Sequence, residues 1–220
     1  MTFLRNHARR FGIAATARYA WCKAMDRIAG YTPYSCFVRP VDQLFPAPAK
    51  PHPQLVYRVV EWNEIARIAA DPQYEISDTF LATALRRRDV CMGAFAGERL
   101  VAYGFSSARA TNIDADFCFQ IPSGWMYNFK AYTLPEWRGK RIHAGIWEAR
   151  RRIFREAGFT HLVALVVATN YPSLGSLHRL GFRRVFGFAV VGKSERRRLL
   201  APGNGEQAVF GQFAVRKARC

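Results

Sequence analysis

The sequence predicts a mixed α/β domain preceded by a helical N-terminal extension. Three observations carry that expectation. From about residue 55 onward, helix-like and strand-like segments alternate, the order of a chain that layers helices on a sheet. Val90–Ala96 and Leu100–Ser106 are apolar runs joined through Gly97-Glu98, a hairpin signal that makes the start of the sheet antiparallel. His161–Ala168 (HLVALVVA) is almost continuously apolar, as a strand buried on both faces must be.

The elements follow in order. Residues from about Thr2 to Ala29 read as a basic amphipathic helix, with Phe3, Leu4, Phe11, Ile13, Trp21 and Ile28 among Arg5, Arg9, Arg10, Arg18, Lys23 and Arg27. Such a helix can lie on an anionic membrane, or pack on the domain or on a second subunit. The run Phe45–Pro53 is rich in proline and reads as a stiff, extended linker. The expected organisation is therefore a basic helical extension at 1–44, a linker at 45–54 and the α/β domain at 55–220. Within that domain Leu55–Val60 reads as a strand, and Glu61–Ala70 and Asp78–Arg88 as helices. Beyond the hairpin, Asp116–Ile121 and Met126–Leu134 read as strands and Lys140–Ala157 as a helix stopped by Gly158. After the buried strand come a short helix at Pro172–Leu180, stopped by Gly181, and strands at Arg184–Val191 and Ala208–Val215. The arginine clusters at 86–88, 150–152 and 196–198 read as solvated faces.

With 220 residues, half of them hydrophobic, the chain can bury one full core. Its formal charge of +17 says nothing about fold but favours acidic partners: nucleotide phosphates, nucleic acid, anionic lipid or an acidic carrier protein. The five cysteines are scattered, with no C-x-x-C pair and no grouping with histidine. They read as reduced thiols of a cytosolic protein, and no metal site is expected. No run approaches the roughly 18 apolar residues of a membrane span. Arg9-Arg10-Phe11 faintly suggests an export signal, but the apolar stretch behind it is short and broken by Arg18. A cytoplasmic protein, with membrane contact at most through the extension, is the expectation.

The segment Thr133-Leu-Pro-Glu-Trp-Arg-Gly-Lys-Arg-Ile-His-Ala144 carries the chemistry. A strand runs into a loop holding Arg138, Gly139, Lys140 and Arg141, and the loop opens a helix. Amides at a helix start are unpaired and carry positive partial charge, so a phosphate placed there is stabilised. A second segment, Ala168 to Phe182, leaves the buried strand through Asn170 and Ser173, either of which can cap the following helix.

Together these segments resemble the GNAT superfamily of N-acyltransferases. The first is similar to that family's pyrophosphate loop, an Arg-x-x-Gly-x-Gly/Ala pattern after a Val-x-Pro-like strand end. The second is similar to its Asn-x-x-Ser/Ala…Leu-Gly-Phe element. The firm resemblance spans about Met126 to Val191. It implies a largely antiparallel sheet in which one parallel strand pair splays apart to admit an acyl-CoA co-substrate, without a metal. Ala131 and Thr133 would pair with the pantetheine arm. Arg138, Gly139, Lys140, Arg141, Ile142, His143 and Ala144 would hold the pyrophosphate. Asn170, Ser173 and Ser176 would sit beside the pantetheine or its thioester.

The departures from that pattern are specific. Arg141 and His143 stand where the family keeps glycine or alanine, so their side chains must point away or the cofactor must shift. His143 could donate to a phosphate or be an ordinary helix histidine. Leu177 replaces the tyrosine that commonly protonates the leaving thiolate, so that role is absent or falls to Ser176 or His178. Tyr127 lies near the place where some relatives keep a base, and deprotonation through water is equally open. The implied activity is acyl transfer from acyl-CoA, or an acyl carrier thioester, to an acceptor amine. The acceptor would be a small molecule or lipid-like, and a homodimer stays open. An inactive CoA-binding module is the alternative; a nucleic-acid binder would explain the charge but neither motif.

Overall fold

A computed structural model describes residues 2–46, 52–201 and 207–217. Two helices, α1 (Thr2–Phe11) and α2 (Ile13–Ala29), precede strand β1 (Thr32–Pro40). Then come β2 (Val56–Val59), α3 (Trp62–Ala69), α4 (Asp78–Arg87), β3 (Val90–Ala96) and β4 (Arg99–Ser107). Two short strands, β5 (Thr111–Asn112) and β6 (Phe117–Gln120), lead to β7 (Trp125–Thr133). The chain continues through α5 (Ile142–Glu156), β8 (His161–Val167), α6 (Tyr171–Arg179), β9 (Arg183–Val191) and β10 (Arg198–Leu200). A hairpin of β11 (Gln207–Phe210) and β12 (Phe213–Lys217) ends it.

An eight-stranded sheet runs β10-β9-β1-β8-β7-β4-β3-β2, and every pair is antiparallel except β7 with β8. A four-stranded sheet, β11-β12-β6-β5, packs against one face of it. The contact is aromatic: Phe119 meets Tyr127 edge-on with ring centroids 5.0 Å apart and stacks on Phe213 at 5.9 Å. Helix α5 covers the opposite face of the large sheet, where Ile142, Ile146 and Ala149 pack on Met92, Ala94 and Val101. Their spacing along α5 gives one apolar stripe at helical period.

Several expectations change here. The N-terminal helix is two helices, broken at Gly12, whose φ of +88° lies in the left-handed region. The pair packs on the domain: the Tyr171 hydroxyl donates to the Ala15 carbonyl at 3.0 Å, and Phe11 stacks on Tyr171. At its other end Gly30 closes so tightly on Gly192 that a Cβ at residue 30 would collide with the Gly192 carbonyl.

The sheet does not start near Leu55. Strand β1 lies inside it, between β8 and β9, so the segment assigned to an extension supplies an interior strand. Its polar residues are satisfied in place: the Arg39 guanidinium donates to the carbonyls of Gly181 (3.0 Å) and Leu44 (2.6 Å), and Ser35 accepts from Arg184. Much of the proline linker (47–51) and Cys220 fall outside the described residues. The segment Ala208–Val215 is not one strand, because Gly211 turns it at a φ of +61°. The cluster 150–152 is not a solvated face either: Arg150 and Arg151 are buried, and Arg151 pairs with Glu148 at 2.7 Å. Cys22, Cys36 and Cys91 are free thiols, in line with the reduced state expected of these three.

Because β1 bridges two strands in the middle of the sheet, the fragment 55–220 should not fold. Circular dichroism and one-dimensional NMR should show it unfolded or aggregated. A soluble, cooperatively melting fragment would contradict the interior placement of β1.

Candidate functional site

The site begins where the one parallel pairing among the described strands stops. β7 pairs with β8 from Trp125–His161 to Asn128–Ala164 and no further. Beyond that point β7 stays bonded to β4 through Thr133, and β8 stays bonded to β1 through Val167. The two half-sheets therefore diverge from an apex at Asn128.

That apex is held by the Asn128 side chain, which is buried. Its amide nitrogen donates to the carbonyls of Met126 (3.0 Å) and Val163 (3.1 Å), and its oxygen accepts from Ser106 at 2.8 Å. Just past the apex the β4–β7 register shifts, and Lys130 takes a left-handed φ of +40°. This bulge bends β7 away from β8, as an extra residue in one strand does.

The wedge is a cleft of about 430 Å³ between the diverging strands, α5 and α6. Ala131 from β7, Val166 and Val167 from β8, and Asn170, Ser173 and Ser176 from α6 line it. His143, Trp147 and Arg150 reach it from α5. A second groove of about 730 Å³ lies at the start of α5, and His143, Pro172 and Ser176 line both. Cleft and groove thus share a wall. Thr133, Arg138, Gly139, Arg141, Ile142 and Ala144 line the groove, joined by Arg10 from α1 and Arg179 from α6. Among the described residues no carboxylate does.

Local conformation explains the groove. Gly139 (φ +82°) and Arg141 (φ +57°) are both left-handed, and Arg141 is the N-cap of α5. An L-residue pays about 1–2 kcal/mol for that conformation, which glycine avoids. Arg138 anchors the loop by donating from Nε to the Thr133 carbonyl at 3.1 Å. The first amides of α5 have no partner within the helix, so the groove combines a helix start with four guanidinium groups. Asn170 caps α6 by accepting from the Ser173 amide at 3.3 Å. Lys140 does not reach the groove; its ammonium lies 4.2 Å from the Trp137 ring centroid.

The residues proposed for catalysis separate. Ser176 lines both cleft and groove. His178 is exposed and meets Phe37 edge-on, because two residues along a helix turn it about 200° from Ser176. Tyr127 is buried in the core on the other face of β7, and burial pushes its phenol well above the ordinary range. Leu177 is buried and lines the wedge.

His143 bonds through Nε2 to the Thr133 hydroxyl at 2.9 Å. Burial first, and the Arg150 charge second, lower its pKa to about 4, so it is neutral at pH 7. Arg10, Asn128, Arg150 and Arg179 are absent from the sequence-derived site. Spacing held a signal for two of them: His143, Trp147 and Arg150 recur at i, i+4 and i+7, and Arg179 follows Ser176 by three.

The lowered His143 pKa makes stability depend on pH. An unfolded chain protonates this histidine below pH ~6.5, whereas the folded chain resists until about 4. The folded state therefore loses stability as pH falls through that window, because the unfolded state binds the extra proton. In His143→Gln, urea midpoints at mildly acidic and neutral pH should differ less than in the wild type. An unchanged difference would contradict the assignment.

Neither a protein-family model nor a curated protein matches the chain. Solved structures do. A GNAT-family acetyltransferase from Novosphingobium aromaticivorans aligns with 74% of this chain and 66% of its own, at a TM-score of 0.52 and 17% identity. A GCN5-related glucosamine N-acetyltransferase region of a fungal multi-domain β-N-acetylglucosaminidase aligns with 78% of this chain and 22% of its own, at 0.53 and 14%. A Drosophila protein aligns with 90% of this chain and 58% of its own, at 0.48 and 14%. The chain thus spans less than two thirds of the length of each of these proteins. At such identities the likeness concerns architecture, and on that basis the chain has the fold of the GNAT acetyltransferases.

Proposed function

We propose that this protein transfers an acyl group from acyl-CoA to an acceptor amine by direct attack on the thioester. One observation carries the reading: the wedge between β7 and β8 shares a wall, formed by His143, Pro172 and Ser176, with an arginine-lined groove at the start of α5. A long ligand with an amide-bearing arm and a phosphorylated end matches that order of surfaces. Two of the similar structures are described as acetyltransferases, which supports the same class.

Each residue then has a task. The open backbone edge at Ala131, with the Thr133 N–H, supplies main-chain partners for the arm, in the manner of a strand completing a sheet. Arg10, Arg138, Arg141 and Arg179 face the phosphates together with the amides of Ile142 and His143. The bulge at Lys130 frees backbone beside the apex, where an N–H can stabilise the oxyanion of the tetrahedral intermediate. Ser176 is the hydroxyl nearest in placement to both surfaces and is the candidate proton donor to the departing thiolate. Among the described residues no carboxylate lines the wedge, and water is the proton acceptor we assign to the attacking amine. Holding two substrates in one cleft supplies much of the rate enhancement.

Arg138→Glu places a negative charge beside the phosphates and removes the loop's anchor. Isothermal calorimetry with CoA should show affinity reduced by about tenfold to a hundredfold, the worth of a charge-assisted contact. Unchanged affinity would contradict the groove as the phosphate site. CoA binding without thiol release from acetyl-CoA over a broad amine panel would leave a binding module in place of an enzyme.

A further inference from the structure

Arg150 is a charge without a partner. Only 1% of the residue is exposed, and its Nε and Nη2 have no hydrogen-bond acceptor. The guanidinium lies against β4 where Gly104 leaves room, since a Cβ at residue 104 would collide with Nη2. The Trp147 ring centroid is 5.2 Å from its Cζ. Among the described residues no carboxylate pairs with it, whereas its neighbour Arg151 has Glu148. Burial lowers its pKa to about 10, which still leaves a cation at neutral pH. An uncompensated buried cation is strongly disfavoured, and a counter-charge supplied from outside the chain offsets that cost.

The direction from which such a group can come is the wedge, which Arg150 lines. The other polar groups there are committed or neutral. Lys130 turns its ammonium to the Glu75 carbonyl at 2.7 Å, Asn128 is spent on the apex, and His143 is uncharged. Arg150 is eight residues from the start of α5, about 12 Å along the helix from the phosphate groove. At that distance it faces the acyl end of a bound thioester and not its nucleotide. A guanidinium fork matches a planar carboxylate, which brings one negative charge to one positive charge.

We propose that the wedge selects a CoA thioester whose acyl chain ends in a carboxylate, with Arg150 as the residue that recognises it. This rests on the CoA reading above. The specificity would be a difference between substrates: the carboxylate gains a partner, and a plain alkyl chain leaves the cation unpaired.

Calorimetry with two series of CoA thioethers tests it, since thioethers bind without turnover. One series carries unbranched alkyl groups of rising length, and the other carries the same chains ending in a carboxylate. At one or more lengths the carboxylate form should bind the wild type about tenfold more tightly or better. Arg150→Gln should erase that preference and keep the alkyl affinities, while Arg150→Lys keeps part of it. The wild-type comparison needs no variant, so loss of folding in either mutant leaves the test intact. Equal affinities at every length, or a preference that survives in folded Arg150→Gln, would overturn the assignment of Arg150 alone. Failure of both series together with CoA itself would overturn the CoA reading and this proposal with it.

Discussion

The site depends on a pair of strands that stop bonding to each other. Parallel strands in the middle of a sheet ordinarily stay paired, because each unpaired backbone group removed from water costs free energy. Here β7 and β8 part after Asn128 and Ala164, although each remains anchored on its far side. The separation is built into the fold. A bulge at Lys130 redirects β7, and the Asn128 carboxamide ties the apex so that the opening cannot spread into the core. Rigid half-sheets on either side turn a defect in pairing into a preformed slot.

Electrostatics then divides the slot. Its outer end is lined by four arginines and, among the described residues, by no carboxylate, so an anion meets positive charge there. Its inner end is mostly apolar, with a neutral histidine and one buried guanidinium. The N-terminal helices take part in this division. By docking on Tyr171 they bring Arg10 over the groove, so the segment that looked like an appendage forms a wall of the site. The left-handed Arg141 shows the same tendency: charge is kept at a position where backbone comfort favours glycine.

Much of this was legible in the sequence, for identifiable reasons. The run HLVALVVA marked a buried strand, and the Arg138–Ala144 turn read as a helix start with free amides. Strand β1 was hidden because it carries Pro33 and Pro40 near its ends and Ser35 and Arg39 interrupt its apolar pattern. Those polar residues are tolerated only through partners far along the chain, such as Arg184 and Gly181. Arg150 was hidden for a related reason. A cluster of arginines normally faces water, and nothing local reveals that Gly104, in another strand, makes room for one of them. Tyr127 and His178 were misplaced by facing: strand alternation sends the first to the core, and helical rotation carries the second off the α6 face that Ser176 presents.

Amide hydrogen exchange with and without CoA tests the central claim most directly, since it reads the strand edges themselves. If the slot receives the arm of the ligand, exchange should slow within 129–133 and 165–167, the stretches where β7 and β8 no longer pair, and at the start of α5. Binding of CoA that leaves those stretches unchanged would contradict it.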